Sequence, residues 1–215
     1  MKLVIVESPT KCHTIERYLG PEYKVVASRG HIRDLSTSGK GGLGVDIPAG
    51  FIPKYAISKD KLHIVRELKG DVSKADEVIL ATDPDREGEA IAWHLTKVLN
   101  LPVETTKRLE FHEITRDSIE TAMTAPRIID MNLVASQETR RILDRIIGFR
   151  LSSLIYKKIH SRSAGRVQSA ALRLIYDHDT EIEQFVSEEY WNIITSVKLN
   201  GNEFNPSFTG INEKS

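Results

Sequence analysis

An acidic stretch at residues 82–89 constrains the fold of this chain more than any other part of its sequence. It follows an apolar run at residues 78–81 that predicts a buried strand, and it precedes apolar residues at 90–95 that predict a helix. In an open α/β sheet, the turn between a strand and the next helix lies at the carboxyl edge, where ligands bind. The pattern therefore predicts an α/β fold with a ligand site at this turn.

The carboxylates of Asp83, Asp85 and Glu87 stand at alternate positions within this turn. Carboxylates this close repel one another and raise one another's pKa values unless a counter-ion is present. Mg²⁺ suits the place, because it binds through a few carboxylates while it keeps waters and phosphate oxygens in its coordination shell. A solvated acidic loop that caps the next helix is the alternative, since acids near a helix N-terminus are stabilising in any case.

A further carboxylate, Glu7, follows the apolar run at residues 3–6, which is typical of a parallel strand buried on both faces. Ser8 and Pro9 then supply an N-cap and a first-turn proline for a helix. If the two strands are parallel neighbours, Glu7 lies on the same edge of the sheet as residues 83–87. The sequence thus predicts one shared acidic edge.

The composition excludes several classes of protein. Lys and Arg together number 30, and so do Asp and Glu, so the overall charge argues neither for nor against nucleic acid. The single cysteine, Cys12, cannot form an internal disulfide or a cysteine-based metal site, which fits a reducing cytoplasm. No apolar run has the length of a signal peptide or of the ~20 residues of a membrane span, so we expect a cytoplasmic protein without a membrane partner.

Residues 1–125 alternate predicted strands and helices, which indicates a doubly wound, Rossmann-like α/β domain with a parallel sheet. Within it, the glycine-rich residues 36–51 predict a long loop, and such loops are usually functional or disordered. Residues 58–68 predict a helix with Gly70 as its C-terminal stop.

Residues 126–188 predict an all-helical segment, because apolar residues recur at helical spacing. Separate helices are expected at residues 130–147, 151–159 and 166–185. Residues 190–199 alternate apolar and polar side chains, which predicts a strand from residue 190, and the Asn200-Gly201 turn after them predicts a hairpin. Residues 189–215 are therefore expected to be the start of a truncated, β-rich arch domain. Two strands are too few for a stable sheet, so we expect the sequence to be an N-terminal piece of a longer chain.

The span between Arg145 and Tyr176 contains no Asp or Glu. It holds cations with aromatic side chains among them: Arg145, Phe149, Arg150, Tyr156, Lys157, Lys158, Arg162, Arg166 and Arg173. Cations neutralise phosphates and rings stack bases, so the pattern is typical of a track for single-stranded nucleic acid. A solvated helix face is the alternative, although such faces usually carry both signs of charge.

Several segments, in the family's order, resemble bacterial DNA topoisomerase I, the type IA class. They are VESPTK at residues 6–11, GHIRDL at 30–35, TDPDREGEAIAWH at 82–94, FHEIT at 111–115, QETRRILDRIIG at 137–148 and SAGRVQS at 163–169. The resemblance implies an N-terminal Toprim domain, followed by the first part of a helical domain that carries much of the single-stranded DNA groove. It also implies the family's reaction, in which a tyrosine breaks one strand of negatively supercoiled DNA, the other strand passes through, and the break is resealed with Mg²⁺ and without nucleotide.

The resemblance also implies roles for particular residues. Glu7 corresponds to the acid/base that handles the deoxyribose 3′-oxygen, and Lys11 to the lysine that stabilises the transition-state phosphate. Asp83, itself a catalytic position, and Asp85 correspond to the main Mg²⁺ ligands, with support from Glu87 and Glu7.

DNA-contacting positions are implied along the helical part of the family and at one motif of the Toprim domain. They are His31, Arg140, Arg141, Asp144, Phe149, Tyr156, Ser163, Ala164, Gly165, Arg166, Val167 and Gln168. From the residues alone, Gly165 also fits a plain start of a helix, and Arg140 with Asp144 fits an ordinary ion pair four residues apart.

The family's nucleophilic tyrosine lies in a Tyr-x-Arg-Thr type motif, which none of the tyrosines of this sequence carries. We therefore expect that the chain does not cleave DNA alone and that the remainder of a longer parent chain is needed for activity. We also expect a monomer. The zinc-binding or strand-binding modules at the C-terminus of the family are not found in this sequence.

Two other functions remain open. Another Toprim enzyme, such as a primase or nuclease, shares the acidic constellation but not the segments at residues 137–148 and 163–169. A non-catalytic module that binds single-stranded nucleic acid would not need carboxylates at the edge of the sheet.

Overall fold

The computed structural model describes residues 1–38, 40–191 and 193–206. The chain divides into two compact units, the first ending at Arg166 and the second beginning at Val167. In chain order the elements are β1 (Lys2–Val6), α1 (Pro9–Leu19), β2 (Tyr23–Ala27), β3 (Arg33–Leu35), β4 (Val45–Asp46), β5 (Ile52–Pro53), β6 (Tyr55–Ile57), α2 (Leu62–Val72), β7 (Glu77–Ala81), α3 (Arg86–Leu99), β8 (Lys107–Arg108), α4 (Arg116–Thr124), α5 (Met131–Ile159), α6 (Arg166–Gln184), β9 (Val197–Leu199) and β10 (Asn202–Phe204).

The centre of the first unit is a four-stranded sheet in the order β2-β1-β7-β8, and every pair in it is parallel. This confirms the predicted α/β fold with a parallel sheet. Val6 of β1 pairs with Ala81 of β7, so Glu7 and Thr82 leave the sheet side by side. The predicted shared edge is thereby confirmed, because the acidic stretch starts next to Glu7.

The sheet is covered on both faces, which explains why β1 is a continuous apolar run. Leu3 and Ile5 pack into a buried cluster with residues of α2 and α3, including Leu95. Val4 and Val6 point to the opposite face, as the pleat requires, and pack with residues of α1 and α4, including Ile119.

Helix α5 is one continuous helix from Met131 to Ile159, so the prediction of separate helices at residues 130–147 and 151–159 is wrong. Gly148 lies inside the helix because a glycine weakens a helix without interrupting its hydrogen-bond ladder. For the same reason Gly70 lies inside α2 and does not end it. The first turns of α5 bury Val134, which packs into the same cluster as residues of α3.

The glycine-rich residues 36–51 are only partly a loop, because β4 lies within them and pairs with β5 in antiparallel fashion. Gly39, the first glycine of this stretch, lies outside the described residues. Gly44 has a φ of +68°, and a Cβ there would lie 2.3 Å from the Ser36 carbonyl oxygen. Glycine is therefore required where the chain turns into β4.

The second unit contains most of α6 and the hairpin of β9 and β10. Asn200 and Gly201 connect the two strands with φ values of 51° and 82°, as a two-residue turn of this type requires. The predicted hairpin is thus confirmed, but its first strand begins at Val197 and not at residue 190. Within residues 1–38, 40–191 and 193–206, no helix has the length and apolar character needed to cross a membrane.

Candidate functional site

The acidic stretch forms a tight loop between β7 and α3. Asp85 is the N-cap of α3, and its carboxylate accepts a hydrogen bond from the Gly88 backbone N–H at 2.7 Å. The Thr82 hydroxyl donates to the Gly88 carbonyl oxygen at 2.6 Å. A Cβ on Gly88 would lie 2.2 Å from the Asp83 carbonyl oxygen, so only glycine lets the loop fold back onto the first turn of the helix.

Glu7 and Lys11 approach this loop from the end of β1 and the first turns of α1. The Lys11 ammonium donates a hydrogen bond to the Asp83 carboxylate. The pKa of Glu7 is raised, first because of its burial and then because of the negative charge of Asp83, while Lys11 opposes the shift. Glu7 is therefore easier to protonate than an ordinary glutamate.

Glu87 is held by side chains from two other parts of the unit. His31 Nε2 lies 2.5 Å from one carboxylate oxygen, and the Gln137 amide of α5 donates to the other oxygen at 3.4 Å. Burial would raise the pKa of Glu87, but its hydrogen bond and charge interaction with His31 keep the pKa below its ordinary value. Gln137, which is buried, thus connects α5 to the acidic loop.

Three of the predicted metal ligands, Asp83, Asp85 and Glu87, have a protein partner. In the described part of the chain, no three His, Cys, Asp or Glu side chains are grouped closely enough to hold a metal ion. The residues nevertheless fit Mg²⁺ chemically, because they offer carboxylate oxygens at one edge. The negative charge of Asp83 contributes, after burial, to the raised pKa of Glu7, and a cation at this edge would relieve that repulsion.

Asp34, at the centre of β3, binds two arginines of α5. Arg141 donates to both carboxylate oxygens, through Nε at 2.8 Å and through Nη2. Arg145 Nη2 lies 3.4 Å from Asp34 Oδ2, and the Arg145 guanidinium lies over the Phe149 ring at 5.2 Å. One face of α5 is therefore fixed to the α/β unit by charge as well as by packing.

A polar cavity of about 300 Å³ lies beside Glu87 and is lined by residues that include Arg33, Tyr55 and His94. Arg33 lies over the Tyr55 ring and donates from Nε and Nη2 to His94 Nδ1, at 3.0 and 2.8 Å. Burial and then the charge of Arg33 lower the pKa of His94 to about 3. His94 is therefore neutral at neutral pH, with Nδ1 as an acceptor.

The predicted DNA-contacting residues outside the segment at 163–168 fall into two groups. His31 is hydrogen-bonded to Glu87, and Arg140, Arg141 and Asp144 are engaged in ion pairs, whereas Phe149 and Tyr156 expose 43% and 61% of their surface. The pairing of Arg140 with Asp144 is present, at 3.8 Å, and Arg166 Nε lies 2.8 Å from the same carboxylate.

The segment at residues 163–168 lies at the boundary between the units. The Ala164 N–H donates to the Ser152 hydroxyl at 3.0 Å, and the Ser152 hydroxyl donates to the Ala164 carbonyl oxygen. Gly165 directly precedes α6, as expected of a residue at the start of a helix. Ser163 is exposed in the first unit, and Val167 and Gln168 are exposed in the second. The DNA-contacting role of this segment stays a prediction.

Sequence reasoning misses four residues of the site. Asp34 lies in the GHIRDL segment with His31, and Gln137 begins the segment at 137–148 that contains Arg140. Both missed residues therefore lie in segments that carry predicted DNA-contacting positions. Arg108 and Glu89 are charged residues with no exposed surface, directly behind the acidic loop. The available signal is Arg108 itself, a charged residue beside the apolar Leu109 in a short stretch where a buried charge needs a partner.

Comparison with known proteins shows which families the chain matches. Residues 2–114 match the Toprim domain family, and residues 128–215 match the DNA topoisomerase family. Full-length topoisomerase I from Thermotoga maritima is similar in structure, with 44% sequence identity and a TM-score of 0.76. The match covers 97% of this chain, which spans 35% of the length of that protein.

The parallel sheet and its acidic edge define a Toprim-domain protein of the topoisomerase class. The chain belongs to the bacterial DNA topoisomerase I family, type IA, and corresponds to the N-terminal part of that family.

Proposed function

We propose that this chain supplies the metal-binding and DNA-gripping part of a type IA topoisomerase that relaxes negatively supercoiled DNA. The observation that carries the proposal is the arrangement at the adjoining ends of β1 and β7. There Glu7, Lys11 and the loop of Asp83 meet at one edge of the sheet. Phosphodiester transfer needs a cation for the charge on the phosphate and a positioned proton donor, and this edge offers both.

Mg²⁺ would be held by Asp83 and Asp85, with support from Glu87 and Glu7. When bound, it would stabilise negative charge on the phosphate oxygens. Glu7 holds or releases the proton at the deoxyribose 3′-oxygen, a role that its raised pKa supports. Lys11 donates to a phosphate oxygen of the strand once that phosphate replaces Asp83 as its partner.

Single-stranded DNA is the proposed partner. Along α5 the exposed rings of Phe149 and Tyr156 are available for base stacking, and Arg150, Lys157 and Lys158 are exposed cations of the same helix. His31, Arg140 and Arg141 would contact the strand where α5 meets the acidic loop. Ser163, Ala164, Gly165, Arg166, Val167 and Gln168 would contact the backbone, with N–H groups at the start of α6 facing phosphate.

We further propose that the nucleophilic tyrosine belongs to the remainder of a longer parent chain, so that this chain alone does not cleave DNA. The reaction is ATP-independent in this proposal, the location is the bacterial cytoplasm at the nucleoid, and the molecule is a monomer.

The activity is tested by complementation. The chain is mixed with the part of Thermotoga maritima topoisomerase I that it does not match, and relaxation of negatively supercoiled plasmid is followed with Mg²⁺. The corresponding N-terminal part of the Thermotoga protein is the positive control, and the Glu7→Gln variant is the negative one. The proposal is supported if the mixture with the wild-type chain relaxes the plasmid and the mixture with Glu7→Gln does not. It is contradicted if the positive control relaxes the plasmid and the mixture with the wild-type chain does not.

DNA binding is tested separately on the chain as it stands. Anisotropy with a labelled single-stranded oligonucleotide should show affinity that falls steeply between about 50 and 200 mM salt, because bound cations release counter-ions from the strand. Affinity that does not change with salt, or no binding at low salt, would contradict the basic track.

A further inference from the structure

A buried arginine lies directly behind the acidic loop. Arg108, in β8, has no exposed surface. Its guanidinium donates to the Thr82 carbonyl oxygen at 2.8 Å, to the Asp83 carbonyl oxygen at 2.7 Å and to the Leu109 carbonyl oxygen. The side chain therefore binds two successive peptide groups of the loop that bears the acidic residues.

The charge of Arg108 is balanced by Glu89, which is equally buried. Arg108 Nε donates to Glu89 Oε2 at 3.3 Å, and Arg127 donates to both Glu89 oxygens at 2.7 Å. The Asp130 N–H, at the N-cap of α5, donates to Glu89 at 2.6 Å. Arg108 thus has a fixed counter-charge, and both of its Nη atoms donate to carbonyl oxygens of the loop, Nη1 to Thr82 and Nη2 to Asp83.

Two kinds of contact hold the loop. The fork of Arg108 fixes the peptide planes that follow Thr82 and Asp83, and these planes set the direction in which the Asp83 side chain leaves the backbone. Gly88 lets the loop pack onto α3, and the Thr82 hydroxyl donates to the Gly88 carbonyl oxygen. Neither contact involves the carboxylates of Glu7, Asp83, Asp85 or Glu87.

We infer that Arg108 is a positioning residue for the metal site: through the Thr82 and Asp83 carbonyl groups it fixes the backbone that presents Asp83 and Asp85. The inference rests on the proposed Mg²⁺ site. A lysine cannot replace the arginine, because one ammonium group cannot reach a carboxylate and two carbonyl oxygens in the geometry of a planar fork.

The test is a Mg²⁺ titration by calorimetry on wild-type chain and on Arg108→Lys. Outer partners of metal sites change affinity by about 10- to 100-fold, so Arg108→Lys should weaken Mg²⁺ binding at least about tenfold. Arg127→Lys is the matched control, because Arg127 donates to Glu89 but not to the loop. It should lower the unfolding midpoint while Mg²⁺ affinity stays within about twofold of wild type.

A second variant guards against misfolding of Arg108→Lys. Arg108→Met combined with Glu89→Gln removes the buried guanidinium without leaving an unpaired buried charge, and the new amide oxygen would still accept from Arg127 and the Asp130 N–H. This variant should also bind Mg²⁺ at least about tenfold more weakly, while it binds single-stranded oligonucleotide without Mg²⁺ as wild type does.

Either Arg108 variant, folded and binding Mg²⁺ like wild type, would overturn the inference. An equal loss in Arg127→Lys would do the same, whereas a wild-type chain that binds no Mg²⁺ would overturn the metal site itself and the inference with it.

Discussion

Glu87 and Glu89 are two residues apart in one acidic stretch, yet their surroundings differ completely. The Glu87 side chain is 47% exposed and lies at the open edge with Asp83 and Asp85. The Glu89 side chain has no exposed surface and lies between Arg108 and Arg127. We call the first region, Glu7, Asp83, Asp85 and Glu87, the open side, and the second, Glu89, Arg108 and Arg127, the buried side.

The difference shows that carboxylates of one short stretch have two separate roles. Carboxylates of the open side have partners that another cation can replace, such as Lys11 and His31. Glu89 has all its acceptor capacity committed inside the protein, and although burial would raise its pKa, hydrogen bonds from Arg127 and the Asp130 N–H lower it below its ordinary value. The open side can therefore bind a ligand, whereas the buried side can only hold structure in place.

The largest expected effect on stability comes from a substitution on the buried side. Glu89→Ala leaves Arg108 charged and unpaired in the interior, which should lower the free energy of unfolding by about 3–5 kcal/mol. Glu87→Ala removes a half-exposed partner and should cost less than about 1 kcal/mol. Urea unfolding of both variants measures the contrast, and equal losses would show that the two sides do not differ.

A smaller effect is expected where the two sides meet. Gly88→Ala places a methyl group against the Asp83 backbone and should destabilise the chain by about 1–3 kcal/mol. Gly70→Ala is the control, because Gly70 lies within α2 with open space around it, and alanine there should stabilise by about 0.5–1 kcal/mol. A neutral Gly88→Ala substitution would mean that the loop is not packed as described.

The histidines provide a pH-dependent form of the comparison. The buried His94 has its pKa lowered to about 3, so between pH 3 and its ordinary value of 6.5 the unfolded chain binds a proton that the folded chain does not. Stability should therefore fall on acidification below pH 6.5, by about 2 kcal/mol at about pH 5. His94→Asn, which keeps an acceptor for Arg33, should flatten the profile of unfolding free energy against pH. His13→Asn, at an exposed histidine, is the control and should leave the dependence of unfolding free energy on pH as in the wild type. The same dependence in His94→Asn would contradict the conclusion that buried His94 causes it.

The smallest effect is expected at a fully open ion pair. Arg173 and Asp177 of α6 lie four residues apart at 2.8 Å, with 73% and 44% of their side chains exposed. Arg173→Ala should change the free energy of unfolding by less than about 0.5 kcal/mol. If Arg173 contacts the strand, the slope of log affinity against log salt should fall by about 0.7. A large loss of stability would show that the exposure of the Arg173–Asp177 pair does not predict its contribution to the free energy of unfolding.

The sequence predicts the frame of the molecule because that frame depends on local patterns. The apolar runs before Glu7 and Thr82 predict the two parallel strands, and Asn200-Gly201 predicts the hairpin, because each signal lies within a few residues. The extent of α5 was not predictable in the same way, since Gly148 is compatible with either a break or a continuous helix.

The buried side could not be predicted because it depends on contacts between distant parts of the chain. Glu89 meets Arg108 because β8 joins the sheet, and it meets Arg127 because the backbone at Arg127 pairs with the backbone at Arg108. Alternation of acids at residues 83–89 gives no sign that Glu89 turns inward while Glu87 stays at the edge. The helical start at Arg86 decides this, because residues two apart on a helix face different directions.

The most direct test of the account is whether Mg²⁺ stabilises the fold through the open side. Urea unfolding at increasing Mg²⁺ is compared for wild type and for Asp83→Ala combined with Asp85→Ala. A ligand that binds only the native state should raise the free energy of unfolding of the wild type by about 1.4 kcal/mol at ten times its Kd. We expect this gain in the wild type and none in the double variant. An equal gain in both proteins, or none in either, would contradict it.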